Sequence, residues 1–327
     1  MRKSKLTFAE KLLCPFVDLP SQVTFSTRGL RKFFFVFLFS FFFHAVSVFS
    51  EEASSYSLPK IPVFTGTAIL QKAYPDLSFE VLRDGRSRDW IVTVLFPSDK
   101  VSFFWAGGRM LPESERENIE KYWPLFYRYE DLRDPESLSE EERERIREFA
   151  SNDNRKNGSG TPMFFFEALY GAETRASLEQ NLVRVDFLGC KTTVHKKISE
   201  PLARVEEKII TLSETDKETA AFVEEIKSAD AYSWRQIVGT KRKSFHSMGV
   251  AIDILPKKLN GKQIFWSWAR DKNPKNWMLT PLSQRWMPPE KVIKIFEDEG
   301  FIWGGKWVIF DNMHFEYHPE LILYSRK

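Results

Sequence analysis

At 327 residues the chain is long enough for one catalytic core plus a sizeable accessory region. Its 43% hydrophobic and 28% charged content excludes an intrinsically disordered protein, and the near balance of 48 basic and 45 acidic residues excludes the global positive field of a nucleic-acid binder. Cys14 and Cys190 are the only cysteines; Cys14 lies in a segment expected to be removed, so the mature chain has no internal disulfide, and Cys190 reads as a small buried hydrophobe.

In chain order, residues 33–50 form the most hydrophobic run, and Arg28, Arg31 and Lys32 stand just before it. That charge-then-apolar order marks residues 1–50 as a signal peptide, with Ala45, Ser47 and Ser50 near the cleavage point, or as an uncleaved membrane anchor, the run being close to the length of a short span. Both alternatives place everything after Glu51 outside the cytoplasm, periplasmic or extracellular. Residues 56–62 read as a linker. The β-branched and aromatic runs 77–82 and 90–96 predict strands, with 101–105 returning as a hairpin across Pro97-Ser98-Asp99. Dense charge over 135–157 predicts a solvated helix capped by Ser137 or Ser139, and the polar, Gly-containing 152–160 predicts a loop. A strand is expected near 183–187. A helix from about Ser199 is predicted to bury Leu202, Val205 and Ile209, and a second over 217–229 to bury Ala220, Phe222, Val223 and Ile226.

The chemistry concentrates after Ala231. His246 and Asp253 stand seven residues apart, an odd spacing that in an extended chain points them to opposite sides. A turn must intervene for both to reach one metal, and Gly249 can supply it. Further on, a strand over 313–317 would project His314 and Glu316 from one face while Phe315 and Tyr317 pack on the other. Two His and one carboxylate, with a fourth position open, is the ligand count of a catalytic rather than a structural zinc site. Of the remaining histidines, His318 reads as a strand-end residue and His195, beside Lys196 and Lys197, as part of an exposed edge. The tryptophans read as core, with one or two able to line a cleft.

At these residues the chain resembles the VanY-like zinc D-alanyl-D-alanine carboxypeptidase and L-alanyl-D-glutamate endopeptidase family. Ser244, His246, Gly249, Ala251 and Asp253 match its Ser-x-His-x-x-Gly-x-Ala-x-Asp signature, and the Trp-Gly-Gly-x-Trp run at 303–307 and the Asp-x-Met-His-Phe-Glu run at 311–316 are similar to the endopeptidase-like branch. The resemblance implies a Zn2+ held by His246, Asp253 and His314. It also implies a general base three residues before the last His ligand, usually Glu, where this chain has Asp311; Glu316 is the other candidate for that role. Arg235 stands where the family pairs a basic residue with a substrate carboxylate, and Ser244 supports the binding site by hydrogen bonding.

The expectation is therefore an α+β fold: a small antiparallel sheet bearing the zinc ligands with packed helices, preceded by an N-terminal β-containing accessory region at 51–157 and occupying 158–327. The implied partner is the peptidoglycan stem peptide, without nucleic acid, and membrane contact arises only through an uncleaved anchor. Carboxypeptidase and endopeptidase activities both fit, and the Asp at position 311 keeps open a non-catalytic cell-wall peptide-binding protein on the same fold.

Overall fold

The computed structural model describes residues 61–326, so the 1–50 signal or anchor and most of the 56–62 linker lie outside the described residues. Helix α1 (Val63–Ala73) comes first, where the sequence reading passed straight to strands; it buries Ile69 and Leu70. A meander follows, β1 (Ser78–Arg83), β2 (Trp90–Leu95) and β3 (Lys100–Phe104), with both pairs antiparallel; β2–β3 is the hairpin the sequence predicts. Helix α2 (Glu140–Phe149) is capped by Ser139, whose side chain accepts Glu142 N–H while Glu142 reaches back to the cap, a reciprocal capping box. Ser151 then caps a short helix α3 (Asn152–Asn157) in what reads as a loop; the Ser-x-x-Asn cap outweighs the turn-like composition. Helices α4 (Phe164–Tyr170) and α5 (Arg175–Glu179) lead to a hairpin of β4 (Leu182–Phe187) and β5 (Cys190–His195). Its two-residue turn places both Leu188 and Gly189 at positive φ, the geometry that matches the twist of paired strands.

Helix α6 (Lys196–Ser213) buries the predicted Leu202, Val205 and Ile209 but starts three residues earlier than expected, because His195 caps it. Helix α7 (Lys217–Glu224) is shorter than predicted: residues from Ile226 leave it to form a strand β6 (Ile226–Asp230), where pairing with the next strand satisfies their backbone. The sheet that matters for function is completed by β7 (Ala251–Pro256), β8 (Phe301–Trp303) and β9 (His314–Tyr317), in the antiparallel order β6-β7-β9-β8. The chain ends in α8 (Trp266–Lys272), α9 (Glu290–Asp298) and α10 (Pro319–Ser325), numbered as helices in chain order.

Alternation along β7 and β9 explains how one sheet carries both core and chemistry. Ile252 and Ile254 face the core from β7, and Phe315 does so from β9, stacking on Phe296 of α9 at 3.9 Å between ring centroids. The opposite face of the same strands carries Asp253, His314 and Glu316. The architecture is thus the expected mixture of helices with small antiparallel sheets. One hydrophobic core spans Ile61, Val92 and Leu125 as well as Ile252, Phe296 and Phe315, so the segments before and after residue 157 pack against a shared interior. Cys190 is half-buried and packs on that core. Among the described residues no helix is long and apolar enough to cross a membrane.

Candidate metal centre

The turn demanded by the odd spacing is present. Residues Phe245–Met248 make a single tight helical turn, with the Ser244 hydroxyl accepting the His246 N–H at 3.3 Å, and Gly249 closes it at φ 67°. A side chain at Gly249 would be strained by that φ and its Cβ would lie 2.9 Å from the backbone nitrogen of His195. The turn folds His246 back beside β7. On the sheet itself, Asp253 and His314 are direct cross-strand partners, which places their side chains on one face a short distance apart.

Three side chains therefore meet. Asp253 Oδ1 is 2.7 Å from His314 Nδ1 and 3.2 Å from His246 Nε2, and the two ring nitrogens are 3.1 Å apart. The outward nitrogens are already committed: His246 Nδ1–H donates to the Ala231 carbonyl at 2.6 Å, and His314 Nε2–H to Glu316 Oε1 at 2.8 Å. With those protons fixed outward, the inward nitrogens either donate a proton to Asp253 or, once deprotonated, present lone pairs beside its carboxylate oxygen. In both states the three atoms converge on a positive charge, a proton or a metal cation. Tetrahedral zinc at bond lengths of about 2.0–2.2 Å sets ligand atoms about 3.3–3.6 Å apart, so the edges of 2.7–3.2 Å would have to open, the shortest by roughly 0.6–0.9 Å. His246, Asp253 and His314 are thus a group that can hold a metal ion, and the donor set fits zinc.

The electrostatics separate the two nearby carboxylates. Asp311 is half-buried with an inaccessible Oδ1, and this desolvation raises its pKa to about 7, with Asp253 and Glu316 adding to the effect against the opposing pull of His314. Its Oδ1 is buried without a hydrogen-bond partner among the described residues. Glu316 is partly buried, its side chain 12% exposed, which alone would raise it, but donors on both sides, His314 and His318, bring it down to about 2. Burial likewise opposes ionisation of Asp253, and the hydrogen bonds from His246 and His314 outweigh it, holding this carboxyl far below the usual range. For His314 burial would lower the pKa, yet its hydrogen bonds to Asp253 and Glu316 raise it well above the ordinary imidazole value. The pocket is built to hold positive charge.

Arg235 reaches the same place: its guanidinium is 3.8 Å from Asp253 Oδ2 and 44% exposed, while its backbone is pinned through Ser247 Oγ, which takes the Arg235 N–H at 3.0 Å. Trp307 lies beside His314, their ring centroids 5.4 Å apart. The structure so brings together His246, Asp253, His314, Asp311, Glu316 and Arg235, with Ser244 holding the turn beneath.

One histidine sits differently from its sequence reading, and a second stands at the strand end as read but makes contacts the reading did not foresee. His195 is 1% exposed rather than on an open edge: its Nε2–H donates to the Tyr170 carbonyl at 3.1 Å and its Nδ1 accepts the Lys197 N–H at 3.0 Å, capping α6. The adjacent lysines hid a capping role that needs a buried, neutral ring. His318 is buried too and joins Glu316 to Glu320. The signal for that was available in the alternation His314, Glu316, His318, every second residue along a strand. Glu320, beyond the strand, gave none.

The comparisons agree with this placement. Residues 67–126 match a family model described only as a domain of unknown function. No curated protein and no solved structure matches the chain. Residues 238–317, which contain the whole His-Asp-His group together with Asp311 and Glu316, match the family model of D-alanyl-D-alanine carboxypeptidase, and that match supports a peptidase domain in this part of the chain.

Proposed function

We propose that the chain is an exported zinc metallopeptidase that hydrolyses peptide bonds in bacterial peptidoglycan stem peptides, as a D,D-carboxypeptidase or an L,D-type endopeptidase. The observation that carries this reading is the pairing of three convergent lone-pair donors with a buried carboxylate oxygen that has no partner of its own. When bound, zinc would polarise the scissile carbonyl and acidify water.

The residues of the chain supply the remainder. Asp311, with a pKa brought to about 7 by burial, is suited to take a proton from water at neutral pH and return it to the leaving amine. Glu316 is a poor candidate for that work, because both its oxygens are engaged by histidines and it sits at about 2; its part is to hold the His314 ring and its tautomer. Ala231 O does the same for His246. Arg235, half-exposed beside Asp253, presents its guanidinium to a substrate carboxylate, and a charge-assisted pair there would orient the peptide. The hydrophobic run at 33–50 behind three basic residues supports export, toward the compartment where this substrate resides.

Purified muropeptides incubated with the zinc-loaded chain test the reading. Release of D-alanine or of a stem-peptide fragment is expected, with Asp311→Asn losing roughly 10²–10⁴-fold in turnover while still holding metal. Glu316→Gln should retain turnover once saturated with zinc. Metal binding without any turnover by the parent would instead favour the non-catalytic wall-peptide binder.

A further inference from the structure

Behind His314 the polar contacts do not end at Glu316. Glu316 Oε2 meets His318 Nε2 at 3.2 Å, His318 Nδ1 donates to Glu320 Oε1 at 2.7 Å, and Tyr74 O–H donates to Glu320 Oε2 at 2.7 Å. Four of these five groups are nearly or wholly inaccessible: Tyr74 at 4%, Glu320 at 0%, His318 at 4% and His314 at 6%. Both carboxylates accept from either side, Glu320 from Tyr74 and His318 and Glu316 from His318 and His314, so His318 donates from both ring nitrogens. The His318 ring is held in plane by edge-on contacts to Phe166 and Phe245, at 5.3 and 4.6 Å, and Phe245 directly precedes His246.

Burying two carboxylates is costly, and apolar residues of similar volume would stabilise the same space as well or better. A fold that keeps both, joined by one histidine and ending on a metal ligand, uses them for orientation. The far end of the line is equally informative. Tyr74 follows α1 and lies within 67–126, the region that matches only a domain of unknown function and that reads as accessory in the sequence.

We propose that Tyr74 is a positioning residue of the metal centre: through Glu320, His318 and Glu316 the accessory region fixes the orientation of His314. The inference rests on the zinc reading above. It assigns the accessory region a part in completing the site, distinct from any role in binding the cell wall.

Full-length Tyr74→Phe and Glu320→Gln, compared with the parent, supply the test. The phenylalanine keeps the ring and removes only the donated hydrogen bond. Zinc affinity, measured by competition with a chromophoric chelator, is expected to fall about three- to tenfold for Tyr74→Phe and about tenfold or more for Glu320→Gln, within the range of other outer hydrogen-bond partners of metal-bound histidines. The visible spectrum of the cobalt(II)-substituted protein should shift in both. Phe165→Leu serves as the packing control, since Phe165 touches the Tyr74 ring edge-on at 6.0 Å without joining the polar line. Unchanged affinity and spectrum in both variants, or an equal change in Phe165→Leu, would overturn the positioning role while leaving the zinc reading intact. A parent that binds no zinc defeats the zinc reading, and the positioning role with it.

Discussion

Gly249→Ala isolates the feature that brings the first ligand to the second. Gly249 stands at φ 67°, where an L-residue costs about 1–2 kcal/mol. The added Cβ would also approach the His195 backbone nitrogen and Leu182 Cδ2 at 2.9 Å each, and the first of these belongs to a strand end that caps α6 and cannot step aside alone. Such overpacking adds about 1–3 kcal/mol, so a total of roughly 2–5 kcal/mol is expected, a Tm lower by roughly 5–10 °C. The nearest relief is to displace the turn that carries His246, so zinc affinity should drop at least about tenfold. Gly189→Ala provides the matched comparison: its φ is 77°, but nothing lies within 4 Å of a Cβ there, so only the torsional part, about 1–2 kcal/mol, applies. Differential scanning calorimetry and chelator competition on both variants decide the matter. If Gly249→Ala loses no more stability than Gly189→Ala and binds zinc as the parent does, the argument that this turn positions His246 is wrong.

Three further outcomes follow from particular contacts. Burial holds the His195 pKa down at about 4, below the unfolded value of about 6.5, so the unfolded chain takes up the extra proton and roughly 3 kcal/mol of stability is lost as pH falls through that window. Urea unfolding of the metal-free chain between pH 7.5 and 4 should show His195→Asn with a slope against pH shallower by about one proton than the parent; identical slopes contradict the assignment. Arg235→Ala should raise KM roughly 10–100-fold for a peptide with a free carboxylate, Arg235→Lys should fall between, and zinc affinity should stay near that of the parent. Phe296→Ala removes the ring stacked on Phe315, behind the metal face of the sheet, and should cost about 3–5 kcal/mol in chemical unfolding.

The site was legible from the sequence where local geometry alone determines it. The odd His246–Asp253 spacing required a turn, Gly249 was the residue able to make it, and period-two alternation put His314 and Glu316 on one face. β-Branched and aromatic runs marked β1–β3, and the helical period marked the buried face of α6. What the sequence withheld depends on contacts between distant segments. Ile226 reads as the last turn of a helix, and only its pairing with β7 makes it a strand. The choice between Asp311 and Glu316 could not be made from spacing, because it turns on which carboxylate is left without donors, and Glu316 is engaged by His318. Tyr74, about 170 residues before His246, had no local pattern linking it to the metal centre.

The central claim is tested most directly by measuring the metal content of the full-length chain together with its metal-dependent release of peptide or D-alanine from peptidoglycan, beside His246→Ala. The account predicts about one zinc per chain and release that stops on chelation and returns with zinc, with His246→Ala deficient in both. A chain that holds no metal, or a His246→Ala variant that binds zinc and turns over as the parent does, would contradict it.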